Sequence, residues 1–174
     1  MNVTEVAELL DNPDCQIEAR HISATDGVEL RVYSFKPNQP STGRPVVFIP
    51  GWTSVMEGWT PLLSAWVEKR EIHYIETREK RSAKIAGKMR VEDFAMIRHA
   101  EDLKAITTSL KLDSNVLWFG SSLGATVILH GMMEGLFCLL YTSDAADEES
   151  GVDLGGGRII KKIWGGGGGG GGGG

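Results

Sequence analysis

The spacing of apolar residues changes along the chain from strict alternation to apolar runs and helical stripes. Two alternating stretches, residues 16–25 and 28–40, flank the dipeptide Asp26-Gly27. Alternation is typical of half-buried strands, and glycine accepts the positive φ that a tight turn needs. The sequence therefore predicts a β-hairpin at the start of the domain.

Strands and helices are predicted to alternate after this hairpin. Apolar runs at residues 45–52, 71–79 and 114–122 predict buried strands, because a strand covered on both faces loses its alternation. Stripes at helical spacing predict three amphipathic helices, over residues 56–70, 91–112 and 123–135. The order β-β-β-α-β-α-β-α predicts an α/β fold, with a mostly parallel sheet, flanking helices and an antiparallel edge hairpin.

The composition changes sharply after Phe137. Residues 138–148, "CLLYTSDAADE", resemble an out-of-frame translation of a transposon-type adapter used to prepare sequencing libraries, and the chain closes on a glycine run, Gly165–Gly174. We expect residues 1–137 to be a partial domain whose natural end is unknown, and residues 138–174 to be a non-native, disordered tail. The alternative is a genuine C-terminal extension with a flexible glycine linker.

Charge and cysteine content exclude several classes of function. A net charge of -5 over 174 residues gives no reason to expect a nucleic acid partner. No apolar run reaches the length of a membrane span, and the start lacks the features of a secretory signal. Two cysteines are too few for a disulfide framework or a cysteine-based zinc site. We expect a cytoplasmic protein that needs no metal or cofactor and contacts no membrane.

One sequence motif indicates a catalytic function. Residues 120–124, "GSSLG", match the G-x-S-x-G pattern between a predicted strand and a predicted helix. In that setting Ser122 occupies a strained turn, and the N–H of Leu123 lies at the helix N-terminus, where it can donate to an oxyanion. Ser121 is a competing nucleophile, but it is not centred between the glycines. A phosphate loop and a dinucleotide fingerprint are both excluded by spacing.

Together with the strand "FIPGW", this motif resembles the N-terminal half of an α/β hydrolase over residues 18–134. The resemblance implies that Ser122 is the nucleophile of a serine hydrolase and that the N–H groups of Trp52 and Leu123 form the oxyanion hole. Pro50 replaces the family's usual histidine in this loop. Arg78 matches the family's Asp-x-Arg-Gly loop, although the neighbouring acidic residues are shifted.

The resemblance also implies a later acid and histidine, which the first 137 residues do not supply. His130 is predicted to lie along the helix away from Ser122, and none of the earlier histidines fits the family's order. Three aspartates follow Ser122 only within the adapter-like tail: Asp144, Asp147 and Asp153. We therefore expect the chain as given to be inactive.

The intact protein is expected to cleave an ester, thioester or amide of a small-molecule acyl substrate. The alternatives are a non-catalytic α/β-hydrolase-like protein that binds a small ligand, acyl transfer to an acceptor other than water, and a complete small protein with a disordered tail. Oligomeric state is unknown. Trp59 and Trp66 are expected to pack on the helix face, with lining of the acyl pocket as the alternative for Trp59. The basic run Lys80–Arg90 is expected to be a solvated loop, with an anion site as the alternative.

Overall fold

The computed structural model describes residues 1–24, 26–112 and 115–137. The predicted non-native tail, residues 138–174, lies outside the described residues, together with Asp144, Asp147 and Asp153.

Four helices and five strands alternate along the described chain much as predicted. The helices are α1 (Val3–Leu10), α2 (Thr60–Val67), α3 (Met96–Ser109) and α4 (Leu123–Met133). The strands are β1 (Cys15–Ser23), β2 (Glu29–Pro37), β3 (Val46–Ile49), β4 (Ile72–Ile75) and β5 (Leu117–Gly120). Two short 3-10 helices, Met56–Trp59 and Val91–Phe94, precede α2 and α3.

The strands form one mixed sheet in the order β1-β2-β4-β3-β5. β1 and β2 form the predicted antiparallel hairpin at one edge, and Gly27 in its turn has the expected positive φ of 81°. β4, β3 and β5 run parallel to one another, and β2 joins β4 in antiparallel register. Because β3 lies between two parallel neighbours, its carboxyl end lies beside the carboxyl ends of β4 and β5.

A row of aromatic residues crosses one face of the sheet. Tyr33, Tyr74, Phe48 and Phe119 are successive register partners on β2, β4, β3 and β5. The Phe48 ring lies 5.2 Å from that of Tyr74 and 4.5 Å from that of Phe119, within the range of favourable ring contacts. Helices α1 and α2 pack on this face through four buried side chains: Val6, Leu10, Leu63 and Val67.

Helix α1 was not predicted from the sequence. It begins with a capping box in which the N–H of Glu5 donates to Asn2 Oδ1 (2.9 Å) and the N–H of Asn2 donates to Glu5 Oε2 (2.7 Å). Val6 and Leu10, one turn apart, are buried against the sheet.

The single helix predicted over residues 91–112 is interrupted at Ala95. This residue is extended (φ -61°, ψ 147°) and separates the 3-10 helix Val91–Phe94 from α3. The carbonyl of Asp93, which would accept from the next helical turn, instead accepts a hydrogen bond from Arg78 Nη1 at 2.6 Å. The interruption therefore follows from a tertiary contact that the local pattern does not contain.

Arg78 is buried just after β4 and binds three separate segments. Its Nε and Nη2 donate to the two carboxylate oxygens of Asp102 on α3 at 2.7 and 2.6 Å. Its Nη1 donates to the carbonyl of Asp93 and lies 3.0 Å from Asp26 Oδ2 in the hairpin turn. Burial by itself would lower the pKa of Arg78, but the hydrogen bonds and charge of Asp102, with those of Asp26, raise it. The guanidinium is therefore a charged junction between the hairpin, the sheet and α3.

None of the helices among the described residues combines the length and the apolar character needed to cross a bilayer.

Candidate active site

Ser122 occupies the turn between β5 and α4. Its backbone has φ 50° and ψ -114°, a conformation that non-glycine residues rarely adopt, and its side chain is exposed. Such strain persists only where the surroundings enforce it, and it is concentrated at functional turns. The predicted strand–turn–helix setting of the G-x-S-x-G motif is confirmed.

The two glycines of the motif are required by close contacts. A Cβ atom on Gly120 would lie 2.5 Å from the backbone nitrogen of Ala125, and one on Gly124 would lie 2.2 Å from the carbonyl oxygen of Ile49. These separations are far below contact distance, and the atoms met are backbone. Glycine therefore allows β5, α4 and the end of β3 to approach one another at the turn.

The loop after β3 lies directly against Ser122. A Cβ atom on Gly51 would be 3.3 Å from the Cβ of Ser122, and the N–H of Ser121 donates to the carbonyl of Ile49 at 3.1 Å. The N–H of Ser54 donates to the carbonyl of Gly51 at 3.2 Å, which closes a turn over residues 51–54. The structure therefore brings the loop that contains Trp52 to Ser122. The Trp52 side chain itself is 59% exposed.

Two backbone donors at this place have no acceptor. Leu123 is the first residue of α4, where N–H groups lack helical partners. Within residues 1–24, 26–112 and 115–137, neither the N–H of Leu123 nor that of Trp52 makes a hydrogen bond. The helix dipole adds positive potential at Leu123, so the site favours a developing negative charge.

Lys80 is a site residue that the sequence analysis missed. Its ammonium donates to the carbonyls of Gly51 (2.8 Å), Trp52 and Ser54 (3.0 Å), and its side chain is only 14% exposed. The expectation that the basic run Lys80–Arg90 is solvated is wrong for Lys80. Its place beside the loop after β3 follows from the adjacency of β3 and β4 in the sheet, which the sequence pattern does not give.

No histidine among the described residues bonds Ser122. His130 lies in the last turn of α4, two turns from Ser122, as predicted. His21 Nε2 lies 2.9 Å from the carbonyl oxygen of Ser82, while His73 and His99 are buried at other places. The described part of the chain therefore brings Ser122 together with two backbone N–H groups that make no hydrogen bond there, and it places no histidine beside them.

A serine, a histidine and a carboxylate do meet elsewhere in the sheet. Ser34 Oγ lies 3.0 Å from His73 Nδ1, and His73 Nε2 lies 3.6 Å from Glu71 Oε1. Burial, with smaller contributions from Lys36 and Arg20, lowers the pKa of His73 to about 4. Ser34 is only 3% exposed, so a substrate has no access to its hydroxyl. This cluster is a buried polar contact between β2 and β4, not a second active site.

Trp59 packs as predicted. Its ring lies edge-on to those of Phe48 (5.2 Å) and Phe119 (5.7 Å), and its Nε1 donates to Ser54 Oγ at 2.6 Å. The indole thus links the aromatic face of the sheet to the end of the loop that contains Trp52.

A depression elsewhere on the described chain does not include Ser122 in its lining. An open depression of about 640 Å³ lies along α3 and has Asp26, Arg98 and Leu136 among its lining residues. In the part of the chain that the structure describes, no group of three or more histidine, cysteine or acidic side chains could hold a metal ion.

Several solved structures, an α/β hydrolase among them, share this architecture. An α/β hydrolase from Novosphingobium aromaticivorans DSM 12444 superposes with a TM-score of 0.57 at 18% identity, over 70% of this chain and 41% of that one. An epoxide hydrolase from Vigna radiata gives a TM-score of 0.53 at 18% identity, over 66% and 33% of the two chains. A bottromycin epimerase gives 0.54 at 21% identity, over 66% and 43%.

This chain therefore spans a third to somewhat over two fifths of the length of the structures it matches. No family model matches the chain, and no curated protein matches it either. At these identities the likeness establishes the fold and leaves the reaction open. The described chain has part of an α/β-hydrolase fold, with Ser122 at its strand-to-helix turn.

Proposed function

We propose that this chain is part of a serine hydrolase that cleaves an ester, thioester or amide of a small-molecule acyl substrate. The observation that carries the proposal is the strained backbone of Ser122 (φ 50°), at an exposed turn beside two backbone N–H groups that find no acceptor in the described part of the chain. The α/β-hydrolase fold supports it, because this turn is where that fold presents its nucleophile.

The proposed reaction proceeds through an acyl-enzyme. Ser122 Oγ attacks the carbonyl carbon, and the carbonyl electron pair moves to the oxygen, which the N–H groups of Trp52 and Leu123 stabilise. Each donor is worth about 3 kcal/mol by analogy with other acyl-transfer sites. The general base takes the serine proton as the attack proceeds and passes it to the alcohol, thiol or amine that the tetrahedral intermediate expels. Water then hydrolyses the acyl-enzyme and restores the serine.

A serine nucleophile favours cleavage of an acyl group over the opening of an epoxide, the activity named for some structural neighbours. Three of them are named as epoxide hydrolases, and another as an epimerase. If a serine opened an epoxide, the product would be an ether, which water does not cleave under mild conditions, so the enzyme would not turn over. An ester formed on serine is hydrolysed readily. The nucleophile therefore supports ester, thioester or amide cleavage.

The general base and its orienting acid are proposed to come from chain beyond residue 137. Serine is a weak nucleophile without a base, and the described residues place no histidine against Ser122. The described part alone is therefore expected to be inactive.

A second candidate function is that of a non-catalytic binding protein that uses the same site for a small ligand. The observation that favours it is the lack of a hydrogen-bond partner for Ser122 Oγ among the described residues. The two functions differ in whether a late histidine reaches Ser122.

Two experiments test the proposed function. Long-read sequencing of the source DNA across codon 137 defines the complete reading frame, whose product we call the full-length protein. We expect further strands and helices with a late acid and histidine. A fluorophosphonate probe should then label the full-length protein at Ser122, so Ser122→Ala abolishes labelling while the neighbouring Ser121→Ala keeps it. Labelling that survives Ser122→Ala, or a wild type that does not label, would refute the hydrolase.

A further inference from the structure

The ammonium group of Lys80 contacts three carbonyls of the loop after β3. Lys80 Nζ has three protons to donate, and the carbonyls of Gly51, Trp52 and Ser54 accept them. Besides this cation, the turn hydrogen bond from Ser54 to Gly51 closes the loop, and the bond from Trp59 Nε1 to Ser54 Oγ ties its end to the aromatic face of the sheet.

The contact with the Gly51 carbonyl bears on the proposed oxyanion hole. The C=O of Gly51 and the N–H of Trp52 belong to the same peptide unit, which is planar. In a trans unit the two groups point in opposite directions, so a bond that fixes the oxygen also fixes the direction of the N–H. The Gly51 carbonyl accepts from both Lys80 and Ser54, and within the described residues the N–H of Trp52 makes no hydrogen bond.

A cation on the carbonyl side also changes the electronic character of the amide. Hydrogen bonds in series polarise one another, so donation to the carbonyl makes the N–H of the same unit a stronger donor. Two neutral donors on the Gly51 oxygen would polarise it less than an ammonium does.

Lys80 is itself held in place. Glu79 Oε1 lies 3.6 Å from the ammonium and accepts a hydrogen bond from Thr77 Oγ1 at 2.6 Å. The Glu79 side chain is 7% exposed and that of Lys80 is 14% exposed, so solvent screens this pair little. All three residues directly follow β4, the strand next to β3 in the sheet.

We propose that Lys80 is a positioning residue for the oxyanion hole: its ammonium orients and polarises the Gly51–Trp52 peptide unit so that the Trp52 N–H donates to the oxyanion formed at Ser122. This assignment rests on the proposed function, since it needs Ser122 to be the nucleophile. Lys80 touches no reacting atom and acts through Trp52.

The test compares Lys80→Met with a matched control, Lys84→Met, in the full-length protein. Lys84 lies in the same loop, but its ammonium pairs with Glu29 at the exposed surface. We expect Lys80→Met to lower the rate constant for fluorophosphonate labelling of Ser122 about 100-fold, as loss of an oxyanion donor does, and Lys84→Met to stay within about twofold of wild type. With a chromogenic ester, the loss should fall on kcat and leave KM nearly unchanged.

Tryptophan amide spectra give a readout that does not depend on activity. In protein labelled with ¹⁵N-tryptophan, the backbone amide signal of Trp52 is assigned by its disappearance in Trp52→Phe. We expect this signal to move in Lys80→Met and to stay in place in Lys84→Met. If Lys80→Met fails to fold, Lys80→Arg replaces it: a planar guanidinium cannot serve three convergent carbonyls, so about a tenfold slower labelling is expected.

The outcomes separate the two proposals. If wild type labels at Ser122 and the folded Lys80 variant labels equally fast, the positioning role is overturned and the hydrolase stands. If wild type does not label, the hydrolase fails, and the Trp52 signal alone decides whether Lys80 orients the peptide unit. A Trp52 signal that does not move in Lys80→Met would overturn the proposal in either case.

Discussion

At the scale of single residues, His73 is an imidazole kept neutral by its surroundings. It lies in β4, almost fully buried, with Ser34 Oγ 3.0 Å from its Nδ1. Burial disfavours the charged form and, with smaller contributions from Lys36 and Arg20, lowers its pKa from 6.5 to about 4. The unfolded chain, by contrast, protonates this histidine at mildly acidic pH.

This difference predicts how stability depends on pH. Between pH 6.5 and about 4 the unfolded state binds a proton that the folded state does not, so the contribution is fully present above pH 6.5 and is lost as pH falls. For the full-length protein we expect the free energy of unfolding to fall by about 2 kcal/mol from pH 7 to about pH 5 because of this residue. Urea denaturation at the two pH values measures the change.

Two variants isolate the histidine. His73→Gln should remove most of this loss. Ser34→Ala should lower stability at both pH values and keep the difference between them, because the imidazole stays buried. A pH dependence that persists in full in His73→Gln would contradict the assignment. His99, whose pKa burial also lowers, contributes in the same direction in every variant.

At the scale of elements, β5, α4 and the end of β3 together form the strand-to-helix turn at residues 120–124, which we call the elbow. Gly124, in the first turn of α4, allows the helix to lie against the Ile49 carbonyl. We expect Gly124→Ala in the full-length protein to cost at least about 3 kcal/mol of unfolding free energy, since the new methyl group would meet backbone that cannot move without the strand.

Gly58 provides the matched control for this substitution. A Cβ there meets nothing within 4 Å, so Gly58→Ala should be neutral or slightly stabilising. Thermal unfolding of the two variants measures the difference. Equal melting temperatures would mean that the contact at Gly124 relaxes at little cost.

The order of strands and helices was predictable because each of them has its own local sequence pattern. The β3 run is buried at all four positions, and the glycines of the elbow follow from a motif whose spacing has a steric cause. Helix α1 also had a local signal, the Asn2/Glu5 capping box, which the sequence analysis did not use. The hairpin, the parallel strands and the turn at Ser122 could all be derived in this way.

Features that depend on tertiary contacts could not be derived. The interruption at Ala95 depends on Arg78. This residue lies 15 positions before Asp93 in the chain and donates a hydrogen bond to the Asp93 carbonyl. The role of Lys80 depends on the adjacency of β3 and β4, which the order of strands along the chain does not give. In both cases a basic side chain binds backbone carbonyls of a distant segment. The spacing of apolar residues along the chain does not indicate such a contact.

At the scale of the whole molecule, Arg78 connects parts that are far apart in sequence. It binds Asp102 on α3 and Asp26 in the hairpin turn as well as the carbonyl of Asp93. Removing one partner of a buried ion pair leaves an uncompensated charge. We expect Asp102→Ala in the full-length protein to cost about 3 kcal/mol or more and to loosen the hairpin turn.

The adjacent Glu101 gives a control of the same chemistry at the surface. It pairs with Arg98 at 2.9 Å, with both side chains substantially exposed, so Glu101→Ala should cost less than about 1 kcal/mol. Urea denaturation compares the two variants, and hydrogen exchange reports opening of the hairpin. Similar costs for the two substitutions would contradict a junction role for Arg78.

The steric origin of the elbow has a consequence for how this fold changes over evolutionary time. The turn is dictated by what would collide at Gly120 and Gly124, while the Ser122 side chain makes no hydrogen bond among the described residues. The backbone at this position therefore tolerates another small side chain without rebuilding its surroundings. A single codon can therefore change the side chain presented at this turn while Gly120 and Gly124 keep the path of the backbone.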